Sequence, residues 1–302
     1  MYDVYELEEK DLSYVIFSDV SIDIDKEFAK ENDIRYIPME YILGEDTFFC
    51  QEPENDEMMH NYYEKLRNKI RTQTSQIAPS RYMEVFEPLV KAGESVLYIS
   101  LSSGLSNTYD SALLAVRDLS EEYDNVNIEV VDSLAATGGM GLLAETAVAN
   151  RNAGMSLKEN AELLRKRARD INLFIKVEDL MYLMRGGRVS ATSAIMGTAL
   201  SIKPILMVTG EGKLATIDKK RGNKQAIKSL VERFDNTYNK ELGNTVYISC
   251  ADCIPDAENL KAMLLEKYPE LNIKITMLSP IIGAHTGPDI IALIYYGQER
   301  MA

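Results

Sequence analysis

The sequence predicts an α/β protein of two domains, the first built on a parallel sheet and the second of mixed α/β structure. The chain has 302 residues, enough for two domains that each bury a core. Through residues 14–150, short apolar runs alternate with longer amphipathic runs, which is typical of a parallel sheet with right-handed crossovers. The second half follows a less regular order and includes a Gly-rich turn at 210–212. The alternation pauses near Gly154, and we place the domains at residues 14–160 and 161–302.

The elements of the first half follow from its apolar runs and from residues that favour helix ends. Residues 14–17 (YVIF) are apolar and predict a buried strand. Residues 34–43 predict a second extended segment, in which Pro38 favours an edge or a bend. Pro79 suits the first turn of a helix. The predicted strands are 14–17, 34–43, 95–101 and 127–131, and the predicted helices are 24–31, 56–69, 79–91, 107–123 and 137–150.

The second half mixes strands and helices of similar length. Ser156 suits the position that caps an amphipathic helix over residues 157–170. Pro204 favours the beginning or the edge of a strand over residues 203–208. The other predicted strands are 171–177, 245–250, 272–278 and 290–296, and the other predicted helices are a short one ending at Arg185, an Ala-rich one at 191–200, and those at 223–238 and 255–268.

Composition and charge exclude several classes of protein. The formal net charge of −14 argues against a nucleic-acid partner. No apolar run reaches the roughly 18 residues of a membrane span, and the acidic amino terminus is unlike a secretion signal, so we expect a cytoplasmic protein. Residues 1–150 hold 11 basic and 30 acidic residues, whereas residues 151–302 hold 22 and 17. The basic clusters of the second half are either a solvated helix face or a docking face for an acidic partner or a membrane surface.

Three short segments rich in hydroxyl groups and glycine stand at breaks between predicted elements. They are residues 74–76 (TSQ), 102–106 (SSGLS) and 283–288 (GAHTGP). Folded together, they would surround one point with hydroxyls, free backbone N–H groups and one imidazole. None of them contains Lys or Arg, and the sequence beside the third is apolar. This combination predicts a site for a carboxylate attached to an apolar chain.

Each of these segments also has an ordinary structural interpretation. Ser106 suits a helix cap, the TSQ segment suits a polar entry into a helix, and His285 suits a structural hydrogen bond within a Gly-rich loop. A serine hydrolase that uses Ser103 and His285 is a second functional hypothesis, although the Gly-x-Ser-x-Gly motif is absent. A carrier of another amphipathic lipid is a third. The inventory of three cysteines and two histidines predicts no metal site and no disulfide framework.

Six ordered motifs give the chain a resemblance to a known family. They are TSQ (74–76), SSGLSNTYDSA (102–112), VVDS (130–133), GGRVS (186–190), IKPIL (202–206) and IIGAHTGP (281–288). On these motifs the sequence resembles the DegV family of fatty-acid-binding proteins, from about residue 14 to the carboxyl end. The resemblance implies two α/β domains with a long-chain fatty acid between them.

The resemblance also implies a function and a set of site residues. It implies a non-catalytic acyl-carrying subunit, whose bound fatty acid a separate fatty acid kinase subunit phosphorylates to an acyl phosphate. No cofactor is implied. Arg188 is the matched arginine expected to face the kinase. The residues expected around the carboxylate are Thr74, Ser75, Ser102, Ser103, Gly104, His285 and Thr286.

The sequence departs from the family pattern at three positions. Asn107 stands where the family usually has glycine, and Ile77 replaces a common proline. Asp289 follows Gly287-Pro288 where glycine is frequent. Because Asp289 would bring a negative charge close to the expected head-group site, we expect it to repel the ligand or to alter the pH dependence of binding.

Overall fold

A computed structural model describes residues 13–53, 56–190 and 201–300 and has the predicted α/β class, with one parallel and one mixed sheet. The Ala-rich helix predicted at 191–200 lies outside these residues. None of the described helices is both long and apolar enough to cross a bilayer. The strands are β1 (Tyr14–Asp19), β2 (Ile34–Ile37), β3 (Met39–Leu43), β4 (Asp46–Cys50), β5 (Thr72–Thr74), β6 (Ser95–Ser100), β7 (Ile128–Asp132), β8 (Ile171–Lys176), β9 (Ile202–Val208), β10 (Leu214–Arg221), β11 (Thr245–Cys250), β12 (Asn272–Met277) and β13 (Ile291–Tyr296).

Ten helices connect these strands within the described residues, and most begin at the expected positions. Ser156 caps its helix through a reciprocal pair of hydrogen bonds with Glu159, as its sequence context predicts. The helices are α1 (Lys26–Glu31), α2 (Asp56–Arg67), α3 (Pro79–Ala92), α4 (Thr108–Glu122), α5 (Gly138–Asn152), α6 (Leu157–Asp170), α7 (Leu180–Arg185), α8 (Asn223–Thr237), α9 (Ile254–Lys267) and α10 (Pro280–Thr286).

The first sheet has four parallel strands in the order β2-β1-β6-β7. All six residues of β1 and all six of β6 are buried, as expected of strands covered on both faces. Helices α3 and α4 form one packed pair against this sheet, and α5 and α6 form another. The loop that begins at Leu101 leaves the carboxyl end of β6, where a parallel sheet places its ligands.

The predicted extended segment at 34–43 is two strands in two different sheets. It divides at Pro38, which has no N–H to continue a ladder. The first part is β2 of the parallel sheet, and the second part is β3, the centre of a three-stranded antiparallel sheet in the order β4-β3-β5. Thr74 ends β5 and pairs with Tyr41 of β3. The expected polar helix entry at 74–76 is therefore the end of a short strand.

The second sheet has six strands in the order β10-β9-β8-β13-β11-β12, and only β11 and β12 run parallel. The Gly-rich turn at 210–212 joins β9 to β10 in an antiparallel hairpin. The turn is recognisable in the sequence, but the predicted strands do not include residues 214–221, a segment that ends in the charged residues DKKR.

Helix α5 connects the two halves of the fold. Its small, buried residues contact β1 and β6 of the parallel sheet and β11 and β13 of the mixed sheet. Helix α6 packs on β7 and also contacts β8. The boundary at residues 160 and 161 falls within α6, so it stays a prediction.

Candidate functional site

A cavity of about 1050 Å³ lies where the three sheets meet. Its lining includes the loop after β6, the end of β5, helix α10 and residues of β8, β9, β10 and β13. Much of the wall is apolar, with side chains such as Met39, Leu173, Ile175, Val208 and Ile281. Polar and charged groups occur where residues 74–76, 103–107 and 188–190 meet α10. The cavity thus combines an apolar wall with a polar region.

Thr74 and His285 come together in this polar region. The Thr74 Oγ1 atom lies 2.7 Å from His285 Nε2, although the two residues are 211 positions apart. The expected Gly-rich loop around His285 is wrong, because residues 280–286 form helix α10, and burial encloses much of the ring. That burial, together with the positive charge of Arg188, lowers the pKa of His285 to about 4. The ring is therefore neutral at pH 7.

The surroundings of the His285 ring favour one tautomer. Its Nδ1 atom is buried and has no hydrogen-bond partner in the described part of the chain. The ring packs so closely on Gly186 that a Cβ added there would lie 2.5 Å from Nδ1. A proton on Nδ1 would leave a buried N–H donor unpaired, so we infer that Nε2 carries the proton and donates to Thr74. The Thr74 hydroxyl then keeps its own proton for an acceptor in the cavity.

The two neighbouring serines after β6 have different surroundings. Ser102 is fully buried, and its hydroxyl donates to the Gly212 carbonyl at 2.8 Å and accepts from the Gly104 N–H at 3.1 Å. A Cβ at position 104 would lie 2.6 Å from the Gly212 backbone, so only glycine fits this close approach. The expected donors of Ser102 and Gly104 are thus both used within the protein, where they fix the loop against the β9–β10 turn.

Ser103 is exposed and lines the cavity. Its backbone N–H donates to Asp132 Oδ1 at 3.2 Å, while its hydroxyl bonds to no described residue. The hydroxyl is therefore free to donate to a ligand. Sequence analysis gave no role to Asp132, although it lies in the VVDS motif.

Ser75 and Thr286 also line the cavity. Ser75 is exposed, and its backbone N–H donates to the Glu40 carbonyl at 3.4 Å. The Thr286 hydroxyl donates to the Ile282 carbonyl of its own helix at 3.1 Å, so this donor is used inside the protein. Of the seven expected carboxylate-binding residues, Thr74, Ser75 and Ser103 have side-chain donors that can turn to a ligand.

Arg188 lies in the cavity wall, between the serine loop and His285. Its Nε donates to the Leu105 carbonyl at 3.0 Å, and another guanidinium nitrogen donates to the Gly186 carbonyl. It forms no ion pair with any described residue, and partial burial lowers its pKa. A half-buried arginine without an acidic partner favours an anion beside it. Sequence analysis singled out this residue for a partner protein and missed its place beside the head-group donors.

Contrary to expectation, Asp289 does not bring its negative charge into the head-group region. It does not line the cavity, and its carboxylate binds Arg67 at 2.6 Å. Its φ of 63° is left-handed, a conformation that glycine adopts without strain. Asn107 has a φ of −76°, which any residue type adopts, so its backbone does not require glycine. Ile77 is simply buried.

The hydrolase arrangement is not assembled. His285 Nε2 bonds to Thr74, and no hydrogen bond joins His285 to Ser103 in the described chain. The ring has no acidic partner to orient it, as a catalytic histidine requires. Cys250 and Cys253 are free thiols buried away from this cavity wall.

Comparison with known proteins agrees with this geometry. Residues 13–298 match the model of a family described as uncharacterised proteins of the DegV family. A DegV domain-containing protein of Clostridium perfringens is 35% identical over 287 residues, which cover 95% of this chain and 98% of that protein. A solved DegV lipid-binding protein of Thermotoga maritima is 26% identical with a TM-score of 0.80, covering 95% of this chain and 99% of that one. A fatty-acid-binding DegV family protein of Streptococcus agalactiae is also 26% identical, with a TM-score of 0.79 and coverage of 93% and 98%.

Proposed function

The chain belongs to the DegV family, and from this premise we propose that it binds a long-chain fatty acid in the large cavity. The carboxylate lies beside Arg188 and accepts hydrogen bonds from the hydroxyls of Thr74 and Ser103. The solved relatives from Thermotoga maritima and Streptococcus agalactiae, described as lipid-binding and fatty-acid-binding, support this ligand class.

The observation that carries the proposal is the guanidinium of Arg188, which has no acidic partner among the described residues and lies at the polar region of a cavity whose wall is largely apolar. An anionic head group would supply the missing acidic partner, and the hydroxyls of Thr74 and Ser103 can donate hydrogen bonds to it. The apolar wall accounts for the chain of the ligand. Burying a sixteen-carbon chain contributes on the order of 11–12 kcal/mol at ~0.8 kcal/mol per methylene, before the costs of ordering.

We further propose that this protein is the acyl-carrying subunit of a cytoplasmic fatty acid kinase and has no catalytic activity itself. The exposure of Ser75 and Ser103 supports this role, because it leaves the head-group region accessible from outside. A separate kinase subunit would then reach the carboxylate while the hydrocarbon chain stays buried. The basic clusters of residues 165–169 and 219–221 offer the partner, or a membrane surface, a positive face.

Mass spectrometry of the purified protein under denaturing conditions tests the ligand class. We expect a co-purified fatty acid, and we expect delipidated protein to bind palmitate or oleate. Recovery of a different amphipathic lipid would replace the fatty acid in the proposal. Protein that is repeatedly empty and fails to bind either acid would contradict it.

A coupled assay tests the kinase role separately. Fatty acid kinase catalytic subunit, ATP and the loaded protein should yield an acyl phosphate, which hydroxylamine traps as a hydroxamate. Loaded protein without the kinase subunit is the control and should yield none. If no fatty acid kinase subunit phosphorylates the fatty acid bound to this protein, the kinase role is contradicted, whereas the proposed fatty-acid binding is not.

A further inference from the structure

A second cavity, of about 680 Å³, lies beyond the segment that leads into α10. Leu278 lines the large cavity, whereas Met277 and Ser279 line the second one. The rest of its wall comes from the loop after β1, the first turn of α2 and strand β12. We call it the acidic cavity, for the side chains described next.

Four carboxylates line the acidic cavity: Asp23, Asp25, Asp56 and Glu57. None of the four forms an ion pair with a residue that the structure describes. One of the two lysines on the same wall, Lys274, is bound to Glu145 at 2.8 Å outside the cavity. Burial raises the pKa of Asp23 well above its usual range, so the negative charge of the acidic cavity comes mainly from Asp25, Asp56 and Glu57, which outnumber the two lysines of its wall. This excess of negative charge attracts a cation.

Asp23 and Ser279 show that the cavity includes a buried polar site and not only an acidic surface. Their residues are 5% and 4% exposed. Asp23 Oδ1 accepts from the Ser279 N–H at 3.3 Å, but Asp23 Oδ2 and Ser279 Oγ have no hydrogen-bond partner in the described chain. Buried polar atoms of this kind are normally paired. A ligand with N–H donors and positive charge would satisfy both atoms.

The spread of the carboxylates decides what kind of cation fits. Among described residues, a cluster tight enough for one metal ion occurs only at His60, Glu64 and Asp252, and Arg67 already bridges its two acids. The four carboxylates of the acidic cavity form no such cluster. Between them the wall is apolar, with Ile24, Met59 and Ile254 among its side chains. Separate negative charges joined by apolar surface match separate ammonium groups joined by methylenes.

We propose that the acidic cavity binds a linear aliphatic polyamine. One terminal ammonium group lies at Asp23 and Ser279, and a second lies among the exposed carboxylates of Asp25, Asp56 and Glu57. The intervening methylene groups lie on the apolar wall. This site is independent of the fatty-acid cavity.

Isothermal titration calorimetry with spermidine at about 0.15 M salt tests the proposal, since this ionic strength screens diffuse attraction to an acidic protein. We expect saturable 1:1 binding that Asp23→Asn weakens about tenfold or more. Asp124→Asn is the matched control, because it removes one exposed acidic charge from a loop outside the cavity. We expect it to change affinity less than twofold. The absence of saturable binding, or equal losses in the two variants, would overturn the proposal.

Two further measurements separate this site from its alternatives. The double variant Asp56→Asn, Glu57→Gln alters exposed side chains only, so it should fold and still weaken spermidine binding at least threefold even if Asp23→Asn is unstable. Mg²⁺ or a tetralysine peptide that binds more tightly than spermidine would refute the polyamine assignment. Palmitate affinity should be unchanged in all three variants, so failure here is distinguishable from failure of the proposed function.

Discussion

The two sides of the head-group region are built in opposite ways. On the serine-loop side, residues 101–104 are fixed by buried hydrogen bonds to Asp19 and Gly212 and by an exposed one to Asp132. On the α10 side, one hydrogen bond joins Thr74 to a neutral imidazole whose other nitrogen has no described partner. The serine-loop side leaves the hydroxyl of Ser103 for a ligand, and the α10 side leaves those of Thr74 and Ser75. The motif residues are therefore mainly scaffold, and only a few are free to bind.

Arg188 bonds to the serine loop and its charge acts on His285 of α10, and its removal is expected to have the largest effect. Arg188→Met keeps much of the side-chain volume and removes the charge that the carboxylate would face. We expect fatty-acid affinity to fall by about 2–4 kcal/mol, as for the loss of a partly buried charged partner. Fluorescence displacement with a labelled fatty acid measures this change.

Arg185→Gln is the matched control for Arg188→Met. Arg185 is exposed, stacks on Tyr182 and does not line the cavity, so its loss should leave affinity nearly unchanged. Equal affinities for the Arg188 variant and the wild type would show that the carboxylate lies elsewhere.

The buried imidazole should make the α10 side sensitive to acid. Because the pKa of His285 is about 4 in the folded protein and about 6.5 when unfolded, the unfolded state binds the extra proton between these values. Stability is therefore retained above pH 6.5 and falls as pH drops toward 4. At pH 5 the loss is about 2 kcal/mol. Urea unfolding at pH 7 and pH 5 measures it.

His285→Gln should flatten this pH dependence, because glutamine can still donate to Thr74 but does not titrate. His60→Gln is the control, since His60 is exposed. If the wild type and His285→Gln lose the same free energy of unfolding between pH 7 and pH 5, the assignment of a neutral, buried His285 ring is wrong.

The sequence allows much of this arrangement to be predicted, but not how its donors are used. Apolar runs predict the parallel strands, and the three polar segments do meet at one cavity. The antiparallel β5 is only three polar residues (TQT), too short to carry a periodic signal. Ser102 and Ser103 are adjacent and chemically identical, and the difference between them depends on a carbonyl 110 residues away in sequence. Such long-range pairing is a property of the folded chain and leaves no local pattern.

Substitutions of the two neighbouring serines therefore test most directly which hydroxyl stabilises the fold and which one binds the ligand. Ser102→Ala removes a buried hydroxyl and leaves the Gly212 carbonyl unpaired, so the free energy of unfolding should fall by about 1–3 kcal/mol. Ser103→Ala removes an exposed hydroxyl with no described partner, so stability should stay within about 0.5 kcal/mol while fatty-acid affinity falls by about 0.5–1.5 kcal/mol. Urea unfolding of the delipidated proteins and labelled fatty-acid binding measure the two quantities. Because each variant is the control for the other, a reversed pattern would exchange the roles assigned to the two hydroxyls.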